Sequence, residues 1–186
     1  MKRLIVIAGP SAVGKTYLAN LLISQFPESI AQGQLYTTRQ PRPGETGSDR
    51  LFISREDFER RRTDEFFIAE RFHDNWYGYP KNLLASSDKH LIINAWPALI
   101  PRFINIPETL LVGMQAVDED LLESRMAERG YSEVQLQERL ALIRKDQRDL
   151  AAATTYINSK GRSFVINDDN TITDEMVPWL IQELGL

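Results

Sequence analysis

Residues 9–16 read Gly-Pro-Ser-Ala-Val-Gly-Lys-Thr, between the short β-branched run Arg3-Leu4-Ile5-Val6-Ile7-Ala8 and residues 17–26, whose apolar positions recur at helical spacing. A strand, a glycine-rich loop and a helix in this order form a cradle for phosphate. Gly9 and Gly14 allow a tight turn and let the backbone approach an anion with no Cβ in the way. The N–H groups of the loop (Gly9, Ser11, Ala12, Val13 and Gly14) and the N-terminus of the following helix turn their positive ends toward that anion. Lys15 then reaches the β- and γ-phosphate oxygens, and the Thr16 hydroxyl is a ligand for Mg²⁺. The expectation is a site for ATP with Mg²⁺. A glycine-rich turn that binds nothing is the alternative, and the register of Gly, Gly, Lys and Thr behind a strand weighs against it.

A length of 186 residues suits one domain with a full core. The formal net charge of −4 gives no sign of a nucleic-acid-binding surface, so basic residues that matter act locally. Cysteine is absent, which removes disulfides, thiolate catalysis and cysteine-based metal sites, and fits a reducing cytoplasm. The apolar run at the N-terminus is too short for a signal peptide or a membrane span. A cytoplasmic protein with no membrane or nucleic-acid partner is expected.

Residues 91–93, 110–112 and 164–166 are apolar enough for further central strands, and helical patterns separate them. Asp118 suits the N-cap of a helix through Arg129, with Gly130 as its stop. Ser132 starts a longer helix through about Ala152, and Thr173 caps a last one with Asp174 and Glu175 in its first turn. Residues 97–105 form a broken helix because Pro101 interrupts it. Strands alternating with helices imply an α/β fold, a three-layer α/β/α P-loop NTPase with a parallel central sheet. Ligands then collect at the carboxyl ends of the strands.

Residues 35–79 break the rhythm. Leu51-Phe52-Ile53 and residues 66–72 read as strands, Ser54 suits the cap of a short helix holding Phe58, and His73-Asp74-Asn75 reads as a turn before Trp76-Tyr77. Such a β-rich insertion beside the phosphate loop suits an acceptor-binding flap that closes to exclude water. Within it, Arg39 and Arg42 stand three residues apart on a turn stiffened by Pro41 and Pro43. Two planar guanidiniums held there suit a phosphate, and a solvated basic loop is the alternative.

Taken together, the phosphate loop, the stretch from Thr37 to Glu45, Tyr77-Gly78, Arg129-Gly130 and Ile166-Asn167-Asp168-Asp169 resemble guanylate kinases over nearly the whole chain and in the same order. The resemblance implies one domain over 1–186 with a core at 1–34, 80–120 and 140–186, an acceptor-binding insertion at 35–79 and a helical lid at 121–139. It further implies that Arg39, Arg42 and Tyr77 hold the phosphate of a small phosphorylated acceptor. Arg125, Arg129 and Arg139 match lid arginines that approach the ATP phosphates, and Asn167 matches an asparagine that contacts adenine. Independently, phosphoryl transfer spreads negative charge over equatorial oxygens that Mg²⁺, Lys15 and mobile arginines can stabilise.

Several positions depart from that family. Its base-reading glutamate is Ile68 here, and Glu70, on the same face of the strand, offers a substitute carboxylate. A phosphate-binding tyrosine is Arg50, the small hydroxyl residue after Tyr-Gly is Tyr79, and a serine upstream of Thr37 is Leu35. The acidic pair after the central strand has become Asn94-Ala95-Trp96. Asn94, His73 ahead of Trp76-Tyr77-Gly78, and Pro101-Arg102 look like the bacterial ribose 1,5-bisphosphate phosphokinases, and in a phosphosugar kinase of that kind Asn94, His73 and Arg50 would bind ribose hydroxyls and an extra phosphate. His73 and His90 read as a surface and a structural histidine, and Trp96 is the tryptophan best placed to stack on a ligand. Three readings stand: a nucleoside monophosphate kinase of altered base choice, a phosphosugar kinase, and a non-catalytic interaction module on the guanylate kinase scaffold.

Overall fold

A computed structural model describes residues 1–41, 47, 49–72, 74–128 and 132–186. β1 (Leu4–Ala8) is buried along its length and pairs in parallel with β7 (His90–Ala95) on one side and β8 (Thr109–Ala116) on the other. With β2 (Ile30–Gln32) and β9 (Gly161–Ile166) the sheet has the order β2-β7-β1-β8-β9, and every pairing is parallel. Strand alternation divides the core. Ile5, Ile7, Ile92 and Val112 join a cluster with Leu18 and Leu22 of α1 (Lys15–Gln25) and Leu180 of α7 (Val177–Leu184). Leu4, Val6 and Ile93 face the other way, with Phe103 of α3 (Ile100–Phe103), Leu150 of α5 (Glu133–Ala152) and Ile157 of α6 (Thr154–Lys160). The result is the three-layer α/β/α fold expected of the strand–helix alternation.

The insertion forms a second sheet. β4 (Arg50–Phe52), β3 (Leu35–Thr37), β6 (Asn75–Pro80) and β5 (Phe66–Phe72) lie in the order β4-β3-β6-β5, with β3 antiparallel to β6 and β6 to β5. α2 (Arg55–Glu65) covers one face through Phe58, which is fully buried against the rings of Phe66 at 4.9 Å and Trp76 at 5.7 Å. Ser54 caps α2 by accepting from Asp57 N–H, a contact worth about 1 kcal/mol. Gly78 is obligatory here, because a Cβ would meet the Phe66 ring at 2.8 Å.

Two helices begin at the caps expected for them, while the expected stop at Gly130 lies outside the described residues. Asp118 accepts from Leu121 N–H at the start of α4 (Glu119–Ala127), and Ser132 forms a capping box with Gln135 at the start of α5. The last helix starts differently from expectation. A π-helical segment, Thr171–Met176, precedes α7, and the turn is held by Asp168, whose Oδ1 accepts from Thr171 N–H at 3.0 Å, rather than by Thr173. The break at residues 97–105 resolves into a 3₁₀ turn, Pro97–Leu99, followed by α3, with Pro101 in the first turn, where a missing N–H costs nothing. Among the described residues no helix is long and apolar enough to cross a membrane.

Candidate active site

The phosphate loop bends through two left-handed residues, Ala12 at φ 64° and Gly14 at φ 112°. Such values suit Gly14 and strain Ala12. Gly9 is required for a reason beyond the ligand: a Cβ there would meet the Met114 carbonyl of β8 at 2.3 Å. Lys15 curls back over the loop and donates to the carbonyls of Gly9 at 2.8 Å and Pro10 at 2.6 Å. Thr16 is exposed at the N-terminus of α1, and Ser11 and Val13 line the loop between the glycines.

Arg125, on α4, reaches this loop from 113 residues away in sequence. Its Nη1 donates to the carbonyls of Ala12 and Val13, each at 3.2 Å, and its Nη2 donates to Asp169 Oδ1 at 2.6 Å. Asn167 is exposed just beyond β9, in the same turn as Asp169. Arg139 is half-buried on α5, and Arg129 lies outside the described residues.

One group was not foreseen. Asp146 stands two helical turns beyond Arg139 on α5, on the packed stripe that carries Ile143 and Leu150. Burial pushes its carboxyl up to about 6, while the positive charge of Lys15 pulls in the opposite direction. An acid within a charged helix ordinarily reads as solvated; the available signal was its spacing of three and four from Ile143 and Leu150.

Ala8 pairs with Ala95 and with Gly113 of β8, so the phosphate loop and residue 96 leave the central sheet side by side while β8 runs on to Ala116. The Trp96 ring there meets Tyr77 edge-on at 4.6 Å and stacks on Phe72 at 4.7 Å. Arg50 lies over the Tyr77 ring at 5.8 Å, with Nε 3.3 Å from Asp49. Arg39 lies over Phe52 at 5.4 Å and donates to the Gln40 carbonyl at 2.8 Å. Its turn is anchored by Thr37, whose Oγ1 accepts from Arg39 N–H and donates to the Trp76 carbonyl. Arg42 and His73 fall outside the described residues.

Glu70 faces Tyr77 across the β5–β6 pair and is ion-paired with Arg102 of α3. Asn94 lies in register with Ile7, and strand alternation puts it with Ile92 on the face that carries α1. Its Oδ1 is buried without a hydrogen-bond partner, an arrangement that costs about 1–3 kcal/mol unless a ligand or water satisfies it. His90 is structural: its Nδ1 accepts from Arg3 N–H at 3.0 Å, and burial lowers its pKa.

The family model described as guanylate kinase matches residues 1–90. The guanylate kinase of Chlamydia abortus is 33% identical over 175 residues, covering 90% of this chain and 81% of that protein. That of Rhodococcus jostii is 31% identical over 194 residues, covering 96% and 87%. Among solved structures, the guanylate kinase of Anaplasma phagocytophilum superposes with a TM-score of 0.63 over 98% of this chain and 86% of that one, at 19% identity, a likeness of fold.

Proposed function

The chain belongs to the guanylate kinase family and is a P-loop kinase, and from that premise we propose that it transfers the γ-phosphoryl group of ATP to the phosphate of a nucleoside monophosphate. The observation that carries the proposal is the pair of cations at the phosphate loop. Lys15 and Arg125 both donate to loop carbonyls, from which they can turn to the more strongly accepting oxygens of a triphosphate. Charge developing on the transferring group is then met by preorganised donors, and no covalent intermediate is needed.

Arg39, Arg50, Tyr77 and, from the sequence, Arg42 form the pocket for the acceptor phosphate. Already ionised at neutral pH, that phosphate attacks directly once its repulsion from ATP is screened, so no general base is required. Thr16 and the unpartnered Asn94 Oδ1 are neutral oxygen donors of the kind Mg²⁺ takes, and they lie on the α1 face of the sheet. Mg²⁺ entering with ATP would be held by Thr16, with Asn94 toward its hydration shell, and would supply charge neutralisation at the β- and γ-phosphates. Asn167 takes the adenine side of the donor. Residues 35–79 and 121–139 act as acceptor flap and lid around the core.

The curated relatives favour a nucleotide acceptor over a phosphosugar. The test is coupled ATP consumption with Mg²⁺ against AMP, GMP, CMP, UMP and ribose 1,5-bisphosphate. Turnover on at least one nucleoside monophosphate is expected. Turnover on the bisphosphate alone would replace the proposal with a phosphosugar kinase.

A further inference from the structure

We propose that Asp169 is a positioning residue for phosphoryl transfer: it keeps hold of Arg125 Nη2 while the phosphates of ATP take Nη1 from the loop carbonyls, so that the guanidinium turns about a fixed carboxylate. This rests on the proposed nucleoside monophosphate kinase reading. The two ends of the guanidinium have partners of different kinds. Nη1 donates to two neutral carbonyls, those of Ala12 and Val13, and lies over Gly14, 4.0 Å from where a Cβ would stand. Nη2 donates to Asp169, the one carboxylate that pairs with Arg125 among the described residues. Charge-assisted hydrogen bonds are roughly twice as strong as neutral ones, so an arriving phosphate displaces the carbonyl contacts and leaves the carboxylate contact in place.

Both sides of this tether are anchored. Leu122 and Met126 flank Arg125 on α4 and are buried in the core cluster that also holds Ala12 and Val13 of the loop, so the side chain turns while its helix stays. Glu119 accepts from Arg144 Nε and ties the start of α4 to α5. On the opposite side, Asp168 closes the turn after β9 by accepting from the N–H and the hydroxyl of Thr171. Ile172, next in the chain, packs on Gly14, its Cδ1 2.6 Å from where a Cβ would stand. The turn is thereby fixed against the phosphate loop. Asp168 is occupied within that turn, and Asp169 is the carboxylate that reaches α4. By charge alone, an aspartate beside a triphosphate hinders ATP, and its removal would favour binding. A positioning role predicts that its removal slows the reaction all the same.

The experiment is steady-state kinetics with ATP and Mg²⁺ on whichever of GMP, AMP, CMP and UMP the wild-type protein phosphorylates. The variants are Asp169→Asn, Asp169→Glu, Arg125→Ala, and Asp169→Asn combined with Arg125→Ala, with thermal melts as the control on folding. Asp169→Asn keeps the shape and removes the charge; it should lower kcat by about tenfold with KM for ATP unchanged or lower. Its melting temperature should stay within about 3 °C of wild type, since the pair is exposed on the Asp169 side. Asp169→Glu should recover part of the lost kcat. With Arg125 already replaced by alanine, Asp169→Asn should change kcat by less than about twofold, because the residue it positions is gone. Wild-type kcat in Asp169→Asn overturns the inference and leaves the kinase reading intact, as does a tenfold loss that persists in the Arg125→Ala background. A large drop in melting temperature with both Michaelis constants raised also overturns it, making Asp169 a residue of the fold alone. Failure of the wild-type protein to phosphorylate any of the four nucleotides defeats the kinase reading itself, together with the inference.

Discussion

Arg125 Nη2 and Asp169 Oδ1 meet at 2.6 Å beside the phosphate loop, joining α4 to the turn after β9 across 44 residues of sequence. Asp169 is largely exposed, so the pair contributes little to stability. Its consequence is position: the guanidinium is held against the loop carbonyls before a triphosphate arrives. Arg125→Ala should lower kcat by about a hundredfold while leaving the melting temperature nearly unchanged. Wild-type kcat in that variant would remove Arg125 from the chemistry.

Lys15 already contacts the loop through the carbonyls of Gly9 and Pro10. Lys15→Ala should reduce kcat by about 10²–10³-fold and weaken ATP binding, with far-UV circular dichroism preserved. Substantial retained turnover would place the transferring phosphate elsewhere.

Asp146 sets a pH dependence of stability. Its folded-state pKa, about 6, is raised from 3.8 chiefly by burial. The folded protein therefore binds this proton more tightly than the unfolded chain does. That contribution is fully present below pH 3.8 and is lost as pH rises through 6, leaving a buried anion only partly offset by Lys15. Asp146→Asn should stabilise the protein at pH 7–8 by on the order of 1 kcal/mol after allowance for solvent screening, with the gain vanishing near pH 4. Thermal melts at pH 4, 6 and 8 measure it, and a difference independent of pH would contradict the burial of this carboxyl.

Phe58 is the side chain through which α2 grips the second sheet, proposed above to hold the acceptor. Phe58→Ala should destabilise by about 3–5 kcal/mol in urea unfolding, and loosening of the sheet should raise the acceptor KM more than that of ATP. Equal effects on both Michaelis constants would show that the sheet does not carry the acceptor pocket.

Local chemistry made much of the fold legible. The central strands at 91–93, 110–112 and 164–166 announced themselves as short apolar runs, and Asp118, Ser132 and Ser54 start their helices through contacts with their own near neighbours. β2 escaped notice because three residues give no period, and the π-helical start of the last helix escaped because Asp168 holds that turn from ahead of Thr173.

The candidate site divides in the same way. The sequence by itself determined the phosphate cradle, since strand, loop and helix are contiguous and Gly14, Lys15 and Thr16 act within a few residues of one another. Only the tertiary structure decided that Arg125 lies on that loop, that Asp146 stands near Lys15, that Glu70 is engaged by Arg102 and that Leu35, Ile68 and Tyr79 share one core. The physical reason is range. Backbone turns and helix caps are satisfied locally, whereas burial and ion pairing depend on which distant elements the two sheets bring together.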